Sequence, residues 1–227
     1  MYNVRVNTVL YFQSPSKTSA PAEKLIGARE IAYKLNWHLQ VFEMPPSNTK
    51  IGKLIDFWKP IGIIVECGEW AQALDARLFR CVPVVFIDRS PSSLPKNSFC
   101  IIHDSFDAGQ IAARELMATG YTHFAFVPFP GKWEWNELRR KGFMKALKSN
   151  GFSCEDLDCS TMAIDSLAFQ QALRKYIKSL PKPCAIFAAN DRPAEAVIAE
   201  TVFNGFSIPQ DVAILGVDNY EPICDNV

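Results

Sequence analysis

The chain has no surplus of either charge: 24 Lys and Arg balance 24 Asp and Glu over 227 residues. A segment that itself gripped nucleic acid would show a basic excess, so the balance gives no electrostatic case for such contact. Long apolar runs are absent too. The longest, such as "IGIIV" and "VPVVFI", are far too short to span a bilayer. The start, "MYNVRVNTVLYF", lacks the basic residues, apolar stretch and small-residue cleavage site of a secretory leader. The seven cysteines contain no CxxC and no paired Cys/His spacing, so no zinc or other metal site is expected. Buried, reduced thiols are the simpler reading and point to the cytoplasm. There is no GxSxG, Walker loop, HExxH or GxGxxG, so no catalytic residue and no cofactor is assigned.

What is present is ordinary globular material, 48% hydrophobic and 21% charged, long enough to bury a substantial core. Short apolar runs alternate with stripes of helical period. "NVRVNTVLYF", "HLQVFE", "IGIIVE", "PVVFI" and "SFCIIH" read as strands, and so do "HFAFVP", "CAIFAA" and "VAILGV". A weaker strand is expected around Ser153 to Leu157. Between them, Leu25, Ala28, Ala32 and Leu35 mark one helix, and "TKIGKLIDFW" a second. A short helix is expected over Ala71 to Arg77, and a longer one over Ser105 to Ala118. Phe169, Leu173, Tyr176, Ile177 and Leu180 mark another, as do Ala194, Val197, Ile198, Thr201 and Val202. Such alternation implies right-handed crossovers and parallel sheets covered on both faces. The strands are too numerous for one small sheet, and a break falls near His103. The reading is two α/β lobes, 1–103 and 104–216, with a return crossover starting over 217–227 and a ligand cleft between the lobes.

Ligands of parallel sheets sit beyond the carboxyl ends of the strands. The residues there are Gln13 and Ser14, Glu66, Asp88 and Arg89, His103 and Asp104, Pro128 to Lys132, Asn190 and Asp191, and Asp218 and Asn219. The set is rich in groups that hydrogen-bond hydroxyls and poor in nucleophile–base pairs. One stretch in it is unusual. In "GKWEWNELRRKGF", a helix starting near Trp133 puts Trp135, Leu138, Gly142, Phe143 and Ala146 on one face. Glu137, Arg140, Lys141, Lys145 and Lys148 fall on the other. Arg139 falls in the apolar sector, where a guanidinium needs acceptors. Those are either a structural Asp partner or a ligand at the strand ends. Trp133 and Trp135 could each cover a sugar ring or simply pack. N-capping ahead of Pro193 is a sufficient explanation for one of Asn190 and Asp191; Asp88 and Asp218 have no such obvious local task, though each could end a strand through an Asx-turn. Their joint placement in both lobes favours a site.

"IIHDSFDAGQIAARELMATGYTHFAFV", "RRKGF", "FAANDRPAEAVI" and "IPQDVAILGVDN", in this order, resemble the effector domain of LacI/GalR-type regulators, which shares its fold with type I periplasmic sugar-binding proteins. The resemblance runs from about Val4 to the end and is looser in the first lobe, where "PVVFIDRS" is its best segment. It implies that Arg139, Asn190, Asp218 and Asp88 contact the effector and that the loop from Gln13 to Thr18, with Ser14, lines the cleft. The chain begins directly in the first strand, and "GKWEW" is similar to the Trp-containing loop of xylose-operon regulators. Those carry an AraC-type helix-turn-helix after the sensor. The resemblance thus implies a cytoplasmic sensor for a sugar, a pentose such as xylose. It also implies DNA contact through a domain not in this chain, no membrane partner, and a homodimer. The end at "EPICDNV" falls where the fold would return to the first lobe, so a truncated C-terminal segment is expected. A transporter's solute-binding protein and a sugar-acting α/β enzyme are the alternatives. In the enzyme, His103 would be the candidate base.

Overall fold

The computed structural model describes residues 6–13, 21–43, 47–66, 74–79, 81–89, 94 and 98–225. They form two compact units, Met1–His103 and Asp104–Val227.

The first unit carries β1 (Thr8–Phe12), β2 (His38–Phe42), β3 (Gly62–Glu66), β4 (Val84–Ile87) and β5 (Phe99–Ile101). All pair in parallel, in the order β2-β1-β3-β4-β5. Helices α1 (Pro21–Lys34) and α2 (Asn48–Trp58) make the crossovers. Because side chains alternate across a strand, Leu10, Phe12, Ile63, Val65, Val84 and Phe86 share one face. They pack there with Ile51 of α2. Leu35, expected on the buried face of α1, lies past the helix end and is exposed. A short 3-10 helix occupies Ala76–Phe79. Of the expected helix over 71–77, residues 71–73 lie outside the described residues, 74 and 75 are not helical, and the turn that forms starts later, at Ala76.

The second unit carries β6 (Phe124–Val127), β7 (Cys154–Asp156), β8 (Cys184–Ala188) and β9 (Val212–Leu215), again all parallel. Their order is β7-β6-β8-β9. Helices α3 (Ser105–Ala118) and α4 (Glu134–Ser149) precede and follow β6. Helix α5 (Leu167–Ser179) leads into β8, α6 (Asp191–Phe203) follows it, and the short α7 (Glu221–Cys224) follows β9. Phe124, Phe126, Ala185 and Phe187 pack with Phe143, Ala112 and Ala113 on the α3/α4 face. Ala125, Val127 and Ile186 pack with Phe169, Leu173 and Val197 on the α5/α6 face. The order reverses between β6 and β8, so the chain leaves these two strands toward opposite faces. That opens a crevice at their carboxyl ends.

Two features decide how α4 sits. Gly109 on α3 and Gly142 on α4 let the backbones meet: a Cβ on Gly109 would overlap the Arg139 carbonyl oxygen, and one on Gly142 the Phe106 carbonyl oxygen. The buried stripe of α4 is Asn136, Arg139, Gly142, Phe143, Ala146 and Leu147. It is rotated slightly from the expected face, so Leu138 is only half-buried while Asn136 is enclosed. On α6 a similar rotation exposes Val202 and buries Glu200, which pairs with Arg174 at 2.6 Å. The two units of parallel sheet flanked by helices form the type I periplasmic-binding-protein-like fold.

Candidate ligand-binding site

Arg139 lies on the second turn of α4, on the side that faces the crevice between β6 and β8. Its residue is 5% exposed. The guanidinium donates through Nη1 to the carbonyl of Ala189, just past β8, and through Nη2 to Asp218 Oδ1 at 3.4 Å. Its centre lies 5.0 Å from the Trp135 ring. One cation therefore bridges the carboxyl ends of β8 and β9 while an aromatic ring covers it. A guanidinium is suited to this because its donors diverge in a fixed plane.

Asn190 follows Ala189 directly. It occupies the N-cap position of α6, yet its side chain makes no capping bond. Its Oδ1 is buried and accepts no hydrogen bond among the described residues. Capping therefore does not explain Asn190. A buried amide oxygen without a donor costs about 1–3 kcal/mol, and such groups call for an explanation.

Asp218 and Asn219 both have positive φ, 105° and 51°. Asp and Asn enter this region more readily than other residues with a Cβ, and two in succession mark a backbone that its surroundings hold in place. It turns the chain sharply after β9 and presents the Asp218 carboxylate toward Arg139. In the first unit Asp88 shares the device, with φ 59° directly after β4. Its backbone N–H donates to Ile101 O at 2.9 Å. Its carboxylate forms an ion pair with Lys24 of α1.

Of the expected residues, Arg139, Asn190, Asp218 and Trp135 thus come together at the strand ends of the second unit. Gln13 lies in the first unit, half-buried, its backbone N–H bonded to Phe42 O at 2.9 Å. Ser14 lies outside the described residues. Trp133 is held locally, since its Nε1 donates to Pro130 O at 3.1 Å and its ring meets Phe129 edge-on.

Several participants carry no local signal in the sequence. Asn136 accepts from Phe129 N at 3.2 Å and donates to Phe129 O at 3.0 Å, fixing the loop after β6. Tyr11, at the end of β1, donates to the buried Glu66. Burial and that carboxylate push the Tyr11 phenol well above its ordinary range. Lys24 is marked by nothing beyond being a lysine near a helix start.

A cavity of about 280 Å³ lies at the ends of β6 and β7, lined among others by Phe129, Glu137, Arg140, Asp156, Asp158 and Ser160. Of the strand-end residues Pro128, Phe129 and Gly131 line it, whereas Arg139, Trp135, Asn190 and Asp218 do not. Arg140 is engaged there by Glu137 at 2.7 Å and Asp156 at 3.0 Å. The hydrogen bond from Arg140 lowers the Glu137 pKa. For Asp156 burial outweighs the same cation and the pKa is raised. No group of His, Cys, Asp or Glu suited to a metal ion occurs among the described residues. Among them no helix is long and apolar enough to cross a membrane.

The chain is thus a two-unit α/β protein with a polar cluster at the strand ends of its second unit. Solved structures share that fold. A periplasmic binding protein/LacI transcriptional regulator from Alkaliphilus metalliredigens, complexed with D-xylulofuranose, superposes with a TM-score of 0.67 at 20% identity. It covers 95% of this chain and 79% of its own. The lac repressor dimer bound to operator and the anti-inducer ONPF gives 0.74 at 23% identity, covering 96% and 77%. Residues 113–227 match the profile of the periplasmic binding protein-like domain, and the chain belongs to that family. The HTH-type transcriptional repressors PurR of Escherichia coli O1:K1 / APEC and of Klebsiella pneumoniae are each 25% identical over 160 residues. The match covers 70% of this chain and 47% of theirs. The chain spans about half the length of the curated relatives it matches.

Proposed function

We propose that this chain is the effector-sensing part of a LacI-type transcription regulator and that its effector is a small sugar, a pentose such as xylose. The observation that carries the reading is the buried Asn190 Oδ1 without a donor, next to a guanidinium and a carboxylate already fixed in place. A sugar hydroxyl both donates and accepts, so this trio suits adjacent hydroxyls: Asn190 and Asp218 accept, Arg139 donates. Trp135, against the Arg139 guanidinium, is assigned the apolar face of the ring. Once water is excluded, a ligand lacking a matching hydroxyl leaves a buried group unpaired, which gives selectivity.

Asp88, Gln13 and Ser14 of the first unit are assigned to the same ligand on the family resemblance. The D-xylulofuranose complex of the Alkaliphilus regulator supports a furanose or pentose. The likeness to PurR and to the operator-bound lac repressor dimer supports DNA contact through a separate domain of the whole protein, a dimeric assembly and a cytoplasmic setting. Effector binding then acts by favouring one conformation over another, to the extent that the two differ in affinity.

A thermal-shift screen of the protein against pentoses, hexoses, sugar phosphates and nucleobases tests the reading. A sugar at about 100 times its dissociation constant adds roughly 2.7 kcal/mol and raises the midpoint clearly. Response to a flat nucleobase instead of any sugar would overturn the sugar assignment.

A further inference from the structure

Asp191 is 7% exposed and sits at the first position of α6, one residue after Asn190. Its backbone N–H donates to Val217 O at 3.0 Å. Its carboxylate Oδ2 accepts the backbone N–H of Tyr220 at 2.7 Å and, at 3.8 Å, the Cys224 thiol. These two hydrogen bonds therefore bracket Asp218 and Asn219, adjacent non-glycine residues that both have positive φ. Gly216 completes the joint, because a Cβ there would lie 2.5 Å from Asp191 Oδ1. The loop after β9 is thus clasped from both ends by a single residue of the neighbouring helix.

We infer that Asp191 is a positioning residue: it holds the Asp218 carboxylate in register with Asn190 and Arg139. This rests on the ligand site proposed above. A neutral side chain unable to accept would release Tyr220, and the positive-φ pair would relax toward commoner backbone conformations. The Asp218 carboxylate would then swing from its place beside Arg139. Asp191 itself need touch no ligand.

Two measurements on the full chain test this. Amide hydrogen exchange at Tyr220, without any ligand, reads the clasp directly. Asp191→Ala is expected to speed it by about tenfold or more, the loss of one hydrogen bond to a charged acceptor. Asp191→Asn, whose Oδ1 can still accept, is expected to keep it slow. Titration with D-xylose reads the consequence. Asp191→Ala is expected to weaken binding about tenfold, with no further loss when it is added to Asp218→Ala, and Asp191→Asn to restore binding. Unchanged exchange at Tyr220, losses that multiply in the double variant, or an Asn variant as impaired as Ala would each overturn the inference. If wild type fails to bind D-xylose, the choice of sugar fails, and the exchange experiment still decides the clasp. Should Asp191→Ala not fold, Asp191→Leu, close in size but unable to accept a hydrogen bond, takes its place in both measurements with the same expected outcomes.

Discussion

Arg139 and Asp218 stand 79 residues apart in the chain, and their side chains meet at 3.4 Å across the strand ends of the second sheet. The same guanidinium donates to the carbonyl of Ala189, a residue with no exposed surface. Arg139→Ala therefore strands a buried acceptor. It is expected to destabilise the protein by roughly 1–3 kcal/mol, measurable by urea unfolding. Arg139→Lys keeps the charge but loses the fork, so it should recover only part of the stability and little of any ligand binding.

The place of Arg139 depends on a glycine of another helix. Because a Cβ at Gly109 would overlap the Arg139 carbonyl oxygen, Gly109→Ala must push α3 and α4 apart. The expected cost is about 1–3 kcal/mol. Gly142→Ala should behave alike, since its Cβ would overlap the Phe106 carbonyl. Gly120→Ala, with nothing near its Cβ but a φ of 89°, is the control. It loses only on its backbone, about 1–2 kcal/mol, and should leave ligand affinity intact. Both helix-contact variants should weaken it.

Asn136 grips Phe129 through both halves of its amide, so it sets the loop on which Phe129 and Trp133 pack. Asn136→Ala should cost about 1–3 kcal/mol, and Asn136→Asp less at low pH, where a protonated carboxyl can still donate. Near-ultraviolet circular dichroism reports the loop through the tryptophan signal. A spectrum unchanged in Asn136→Ala would mean the loop holds itself.

Burial pushes the thiols of Cys154 and Cys159 up from 9.0 to about 12. In the folded protein at pH 8 both are expected to resist iodoacetamide while the exposed Cys81 reacts. The sign for stability follows from linkage. These groups keep their protons when folded and lose them sooner when unfolded. Their contribution is therefore complete below about pH 9 and declines as pH rises toward the folded value. Tyr11 and Tyr176, also raised chiefly by burial, act in the same direction. Chemical unfolding at a series of pH values from 8 to 11 should show a falling midpoint.

The parts of this protein that periodicity encodes were readable. Alternation along "HFAFVP" and "CAIFAA" corresponds to strands whose odd and even residues feed different cores. Ser105 to Ala118 is a helix with those bounds. Burial of Arg139 follows from its angular place on α4. What escaped is set by distant contacts. Nothing local tells that Lys24 meets Asp88, 64 residues away, or that Asp191 clasps a loop 29 residues downstream. At Asn190 the sequence left two roles open. Asn before a helix is a common cap, and only the folded structure shows that its side chain does not serve as one. The rotations of α4 and α6 by a fraction of a turn arise from polar anchors, Asn136 and Glu200, that a count of apolar residues assigns to the surface.

The most direct test of sugar binding is calorimetric titration of wild type and Asn190→Ala with D-xylose, D-xylulose and D-ribose. Saturable binding of one of them at one site per chain is expected. In Asn190→Ala that affinity should fall by about tenfold or more, for the loss of a buried acceptor, with the thermal midpoint of the free protein unchanged or raised. Equal affinity in both proteins, or no heat from any sugar with folded wild type, would contradict a sugar held by Asn190.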